Sequence, residues 1–111
     1  MDSTLVADIT ALLGPHYVVS APEALTTYDA DACVVDTHAP DLVVLPRSHE
    51  EVEAIVRLAR KAGVPVVARG AGTGLAGGAT PIQGGLVIAT TRMDRILEVD
   101  VRNSRVRVQP G

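Results

Sequence analysis

The sequence predicts a mixed fold of helices and strands, built on a parallel βαβ unit and closed by an antiparallel hairpin. Three observations predict it. Leu42–Leu45 and Val64–Ala68 are short apolar runs flanking an amphipathic stretch, 48–62. A third apolar run, Leu86–Ala89, follows a window crowded with glycine. Beyond it, 96–109 alternates apolar and charged residues with the period of a strand.

The elements follow in order. Ser3 is placed to cap a helix whose apolar positions are Leu5, Ile9, Leu12 and Leu13, and Gly14-Pro15 ends it. Ser20-Ala21-Pro22-Glu23 has the form of a capping box and predicts a short second helix to about Tyr28. Residues 29–41 are polar and acidic and read as a loop. Leu42–Leu45 reads as a buried strand that Pro46 ends.

Ser48 and Glu51 form a second capping box, and Val52, Ile55, Val56 and Ala59 make one apolar face. Acids open this helix and Arg57, Arg60 and Lys61 close it, which suits the helix dipole. Gly63 fits its left-handed terminus and Pro65 prevents continuation. Val64–Ala68 then reads as a second buried strand, parallel to the first through a right-handed crossover. In the hairpin, a turn at 102–105 would pair Val101 with Val106 and Asp100 with Arg107. That register keeps the valines on one face.

With 111 residues the chain has room for one small domain. A net charge of −3 and two aromatic residues, Tyr17 and Tyr28, argue against a nucleic-acid surface. A single cysteine, Cys33, permits no internal disulfide and is expected to be a buried, inert thiol in a reducing compartment. His16, His38 and His49 lack metal-ligand spacing, so no metal site is expected. Asp29, Asp31 and Asp36 read as solvated loop acids. The N-terminus reads as neither secretory signal nor membrane span. The end at Pro110-Gly111, directly after a strand, reads as a cut through a larger domain.

Seven of the ten glycines fall between Gly70 and Gly85. Dense glycine lets backbone N–H groups approach a phosphate closely. A Walker loop would need a lysine after the last glycine, and the window holds none. Gly72-Thr73-Gly74-Leu75-Ala76-Gly77 matches GxGxxG, but a Rossmann site needs the loop to open a helix. Gly78, Pro81 and Gly84-Gly85 stand against that helix. A helix-free loop that wraps a pyrophosphate with consecutive N–H groups fits better. Arg69, at its entrance, is either a ligand contact or half of a structural salt bridge.

The series "VVLPRSHEEVEAIVRLARKAGVPVVARGAGTGLAGGATP", "GLVIATTRMDRILEVD" and "VRVQPG" resembles the start of the FAD-binding domain of flavoproteins of the vanillyl-alcohol-oxidase type, also called the PCMH type. It is most similar to the branch of the glycolate oxidase flavoprotein subunit and D-lactate dehydrogenase. The resemblance covers Asp36 to Gly111 closely and the N-terminal helices loosely. It implies an α+β FAD domain of two subdomains, of which this chain is the first: an N-terminal helical segment, 1–35, and a partial FAD-binding domain, 36–111.

The resemblance also implies which residues hold the cofactor. Arg69, Gly70, Ala71, Gly72, Thr73, Gly74, Leu75, Gly77 and Gly78 would bind the FAD pyrophosphate. Pro46 would border the adenosine end, and Pro110-Gly111 would lead toward the flavin. Relatives that attach FAD covalently carry a histidine where this chain has Thr73, which implies non-covalent FAD. No residue matches a catalytic base.

The implied function is the N-terminal part of an FAD-dependent 2-hydroxy-acid oxidoreductase, inactive by itself and cytoplasmic, with partner subunits and attachment at the membrane periphery left open. A truncated non-enzymatic module and a nicotinamide-binding Rossmann unit are the alternatives.

Overall fold

A computed structural model describes residues 1–33 and 35–111. Val34, within the expected 29–41 loop, lies outside the described residues.

Helix α1 spans Ser3–Leu13, a short 3-10 turn follows, and β1 is Val18–Val19. Asp2, not Ser3, is the cap: its carboxylate accepts from the Thr4 N–H at 3.0 Å. Adjacent residues both able to cap leave the first turn ambiguous by one position. Helix α2 is Pro22–Leu25, continued as a 3-10 turn over Thr26–Tyr28. Its N-cap is Ala21, with no side-chain bond, so the capping box expected at Ser20 does not form. Pro22 takes the first helical position, where its missing N–H costs nothing.

Strand β2 is Leu42–Val44, and helix α3, His49–Ala62, follows as the capping signals predict. Ser48 Oγ accepts from the Glu51 N–H at 3.2 Å, and Glu51 Oε2 reaches back to the Arg47 N–H at 2.8 Å. Gly63 closes the helix in the left-handed region. Ile55 and Ala59 are fully buried and Val52 partly so, but Val56 turns to solvent, and Leu58 packs in its place.

Strand β3 is Val66–Arg69 and β4 is Leu86–Ala89. The sheet order is β1-β2-β4-β3, with β1 antiparallel to β2 and the other three strands parallel. The βαβ unit therefore exists with a third strand inserted in its middle. Leu42 faces Leu86 on one side of β4, and Val66 faces Leu86 on the other. As an outer strand β3 is not buried as expected: Val66 is 40% exposed. Apolar composition led to the expectation of burial, but the strand buried between two others is β4.

Alternate residues of the sheet point to opposite faces. Leu42, Val44, Leu86 and Ile88 pack with Leu5, Ile9 and Leu13 of α1 and with Ile55 and Ala59 of α3. Val43, Val87 and Ala89 pack on the other face with Leu25 of α2, joined by Tyr28 and Val67. The N-terminal segment thus adds a strand, a helix to one face and a turn to the other.

The last two strands, β5 (Ile96–Asp100) and β6 (Arg105–Val108), form the expected hairpin in a different register. Val99 pairs with Val106, Asp100 with Arg105 and Glu98 with Arg107. The turn is 101–104, because Asp100 accepts from the Asn103 N–H and side-chain amide at 3.1 and 2.7 Å. Ser104 takes a positive φ of 53°. The offset from the expected register is two residues, so the valine face is preserved.

Candidate phosphate-binding site

Parallel strands bring their carboxyl ends to one edge of a sheet, the usual ligand edge of such folds. Here that edge carries Leu45-Pro46 after β2, Arg69-Gly70 after β3 and Thr90 after β4. Pro46 is fully buried and stands two strands from β3, about 10 Å at ordinary strand spacing.

The chain's last residues return to this edge. Thr90 Oγ1 lies 3.1 Å from the Pro110 carbonyl and 3.3 Å from the Arg69 carbonyl. The Gly111 N–H donates to the Met93 carbonyl at 2.8 Å. A Cβ on Gly70 would stand 3.7 Å from the Pro110 oxygen. The structure therefore brings Pro110-Gly111 alongside the first residue of the glycine loop.

The loop itself is a crossover without a helix. Residues 70–85 form bends and turns from the end of β3 back to the start of β4. The helix a Rossmann site requires after Gly74 is not there, which removes the nicotinamide alternative. Among the described residues, no backbone carbonyl accepts an N–H from Gly70 through Ala79. An open cleft of ≈ 340 Å³ is lined by Gly70, Ala71, Gly72, Thr73, Gly74 and Gly78, with Ala76, Ala79 and Asp31. These N–H groups lie in a largely exposed loop, open to water or to a ligand, and a concave run of such groups is a geometry that binds anions. At Gly77 and Gly78 an added Cβ would meet nothing within 4 Å.

Not every predicted site residue lines this cleft. The Leu75 side chain is exposed. Gly77 borders a second cleft of ≈ 360 Å³ with Cys33, Asp36 and Thr80. Cys33 is half-buried at that rim, contrary to the expected buried thiol, because the segment carrying it folds against the loop instead of entering the core.

The electrostatics differ from expectation at two residues. Among the described residues Arg69 forms no salt bridge: its guanidinium donates to the carbonyls of Ala30 at 2.5 Å and Thr27 at 3.4 Å. It also stands 5.5 Å from the centre of the Tyr28 ring. Gly72 has a φ of +74°, and a Cβ there would overlap this guanidinium. Asp31 is not a solvated acid; it is 7% exposed. Its Oδ1 accepts from the Cys33 N–H at 2.8 Å, and the Ala32 N–H donates to the Gly74 carbonyl at 3.1 Å. Asp29 is half-buried and Asp36 exposed. The cleft is thus lined by neutral backbone, with one buried carboxylate at its wall and the Arg69 guanidinium beside Gly72, bonded to carbonyls of the N-terminal segment.

Sequence reasoning passed over Asp31, Thr90 and Arg92. The signal for Asp31 is an aspartate two residues before a loop N–H, the spacing of an Asx turn. The signal for Thr90 is its place just past the carboxyl end of a buried strand. Arg92 donates to the Leu45 carbonyl at 2.7 Å with its guanidinium 3.4 Å from the Tyr17 ring centre; nothing local marks that contact. The three histidines are exposed, and no cluster of three metal-ligating side chains occurs among the described residues. No helix among them is long and apolar enough to cross a membrane.

Comparison with known proteins places this geometry. Residues 40–111 match the family described as the FAD binding domain. The glycolate oxidase subunit GlcD of Escherichia coli K12 is 40% identical over 94 residues, covering 85% of this chain and 19% of that subunit. A D-lactate dehydrogenase of Anaerostipes hadrus is 44% identical over 100 residues, covering 89% of this chain and 21% of its own length. The solved 4-ethylphenol oxidase from Gulosibacter chungangensis superposes with a TM-score of 0.85 at 31% identity, over 98% of this chain and 22% of that one. The chain thus spans about a fifth of the length of the relatives it matches.

Proposed function

This chain belongs to the FAD binding domain family, and from that premise we propose that it forms the phosphate-holding wall of the cofactor site in an FAD-linked 2-hydroxy-acid oxidoreductase. FAD is the cofactor. The observation that carries the reading is the run of N–H groups from Gly70 to Ala79 that have no backbone partner among the described residues, around an open cleft.

The residues fit a pyrophosphate. Gly70, Ala71, Gly72, Thr73, Gly74 and Gly78 surround it with N–H donors, and Leu75 and Gly77 shape the turn between them. Arg69 anchors the loop at its entrance. Pro46 borders the adenosine end, two strands away on the same edge. Pro110-Gly111, beside Gly70, leads toward the flavin. Thr73 offers a hydroxyl and no imidazole, and 69–79 contains neither histidine nor cysteine, which supports non-covalent attachment.

The division into an N-terminal segment, 1–35, and a partial FAD-binding domain, 36–111, belongs to this reading. Bound FAD would supply the isoalloxazine that accepts a hydride from a 2-hydroxy acid. This chain's contribution is to bind and orient. No side chain here is placed as a base for the substrate proton, so the 111-residue chain alone is expected to turn over no substrate. Partner subunits, as in a glycolate oxidase assembly, and a cytoplasmic location belong to the same reading.

The test is titration of FAD fluorescence with the chain. Weak binding, with a Kd above micromolar, is expected from one wall of a site. Sub-micromolar binding would overturn the half-site view, and no binding at any concentration would remove the reading that this loop holds the pyrophosphate.

A further inference from the structure

We propose that Arg69 is a positioning residue for the glycine loop: it acts by tying the loop to the segment 27–33 and makes no contact with the cofactor phosphates. The proposal rests on the FAD reading for its consequence but not for its geometry.

The tie runs in one direction from core to cleft. Tyr28 packs on the sheet face formed by Val43, Val87 and Ala89, so its position is fixed by the core. The Arg69 guanidinium stands 5.5 Å from that ring and donates to the carbonyls of Ala30 and Thr27. Two carbonyls on one planar fork fix both its position and its plane. The segment then turns at Asp31, whose buried carboxylate holds the Cys33 N–H at 2.8 Å. Between them the Ala32 N–H takes the Gly74 carbonyl at 3.1 Å. That bond fixes the plane of the Gly74–Leu75 peptide in the middle of the loop: its carbonyl goes to the N-terminal segment, and the Leu75 N–H points the opposite way.

A phosphate ligand would need the guanidinium free. Here two of its five N–H donors are committed to carbonyls, an aromatic ring flanks it, and the Gly72 backbone stands close on the loop side. Its charge compensates two carbonyl dipoles. Phosphate binding is left to amide N–H groups, whose affinity depends on all of them pointing inward together. An arm that sets their orientation therefore acts on affinity without touching the ligand.

The experiment uses the 111-residue chain, with amide exchange followed by NMR and FAD binding followed by fluorescence at two salt concentrations. The variants are Arg69→Met and Arg69→Lys. Lysine keeps the charge but cannot hold two carbonyls in one plane. The expected result is the same for both: exchange at Ala32 and Cys33 accelerates about tenfold or more, while Val87 and Ile88 in β4 stay protected. FAD affinity falls about tenfold in both, with the salt dependence of the wild type. Wild-type exchange at Ala32 and Cys33 in Arg69→Lys would overturn the proposal, because charge alone would then suffice. So would a loss of salt dependence in Arg69→Met, the mark of a direct phosphate contact.

If Arg69→Met also loses protection in β4, Gly72→Ala decides. Its Cβ displaces the guanidinium and leaves the charge in place. Local loss at Ala32 and Cys33 supports the tie, and unchanged exchange there overturns it. If the wild type binds no FAD, the cofactor reading fails, and the exchange data still decide the tie.

Discussion

The parallel sheet and the hairpin are built from the same residue types and end in opposite environments. In β4, Leu86, Val87 and Ala89 are completely buried. In the hairpin, Val99 is 61% exposed and Val106 58%. Both carry β-branched residues in strand geometry. The difference is coverage: α1 and α3 lie on one face of the parallel sheet, and the turn after α2 lies on the other. Nothing among the described residues lies on the hairpin's valine face. Apolar strand composition therefore reports a face to be covered, and only the parallel sheet covers its own.

The largest test of this comparison truncates one residue in each region. Leu86→Ala opens a cavity in the centre of the sheet and should cost about 2–5 kcal/mol. Val106→Ala should stay within about 0.5 kcal/mol, as other exposed substitutions do. Urea unfolding of the 111-residue chain measures both, and equal costs would dissolve the distinction.

A second pair separates stability from binding within the loop. Gly85 has a φ of +79°, and an added Cβ would lie 2.5 Å from the Pro65 carbonyl oxygen. Gly85→Ala should therefore cost about 2 kcal/mol or more. At Gly78 the space is open, so Gly78→Ala should leave the Tm near wild type and weaken FAD binding. A Tm loss at Gly78 as large as that at Gly85 would mean the cleft is part of the core.

The turn after α2 can be probed through Asp31. Asp31→Ala removes the acceptor of the Cys33 N–H, a change worth about 1 kcal/mol for one hydrogen bond. The loss should show first as faster exchange around Cys33, with β4 last to respond.

The smallest effect concerns the hairpin turn. The Asn103 side-chain amide, with its backbone N–H, holds the Asp100 carboxyl below its ordinary range. A lowered value in the folded chain means the contact stabilises the turn above the ordinary aspartate pKa. It is lost as pH falls through the lowered one. An NMR titration should show this and should move Asp100 up toward the ordinary range in Asn103→Ala, where the backbone N–H contact remains. An unchanged titration in that variant would detach the turn from its Asx contact.

The parts of the fold legible in the sequence are those fixed locally. Helix α3 is legible at both ends because Ser48, Glu51 and Gly63 act within one turn of their targets. The hairpin's inward and outward residues are legible because alternation survives a shift of two; its register is not, since Asp100 chooses the turn by a side-chain contact. The strand order is not legible, because the place of β4 between β2 and β3 is decided by packing between distant residues. The glycine loop is legible as a helix-free crossover, since Gly78 and Pro81 deny it a helix. The burial of Asp31 and the carbonyl partners of Arg69 were not legible for one reason: each is set by a segment 27–33 whose contact with the loop no spacing records.

The position of β4 also bears on the order in which the chain can fold. A growing polypeptide completes β2, α3 and β3 before Leu86–Ala89 exists. Two parallel strands then stand with open edges and the strand that belongs between them not yet made. Direct pairing of β2 with β3 would be a kinetic trap that late synthesis of β4 must undo, and non-local strand pairing of this kind is slow. The glycine crossover is the tether that delivers β4 into the gap, so the segment that lines the candidate phosphate cleft is also the one whose closure completes the core.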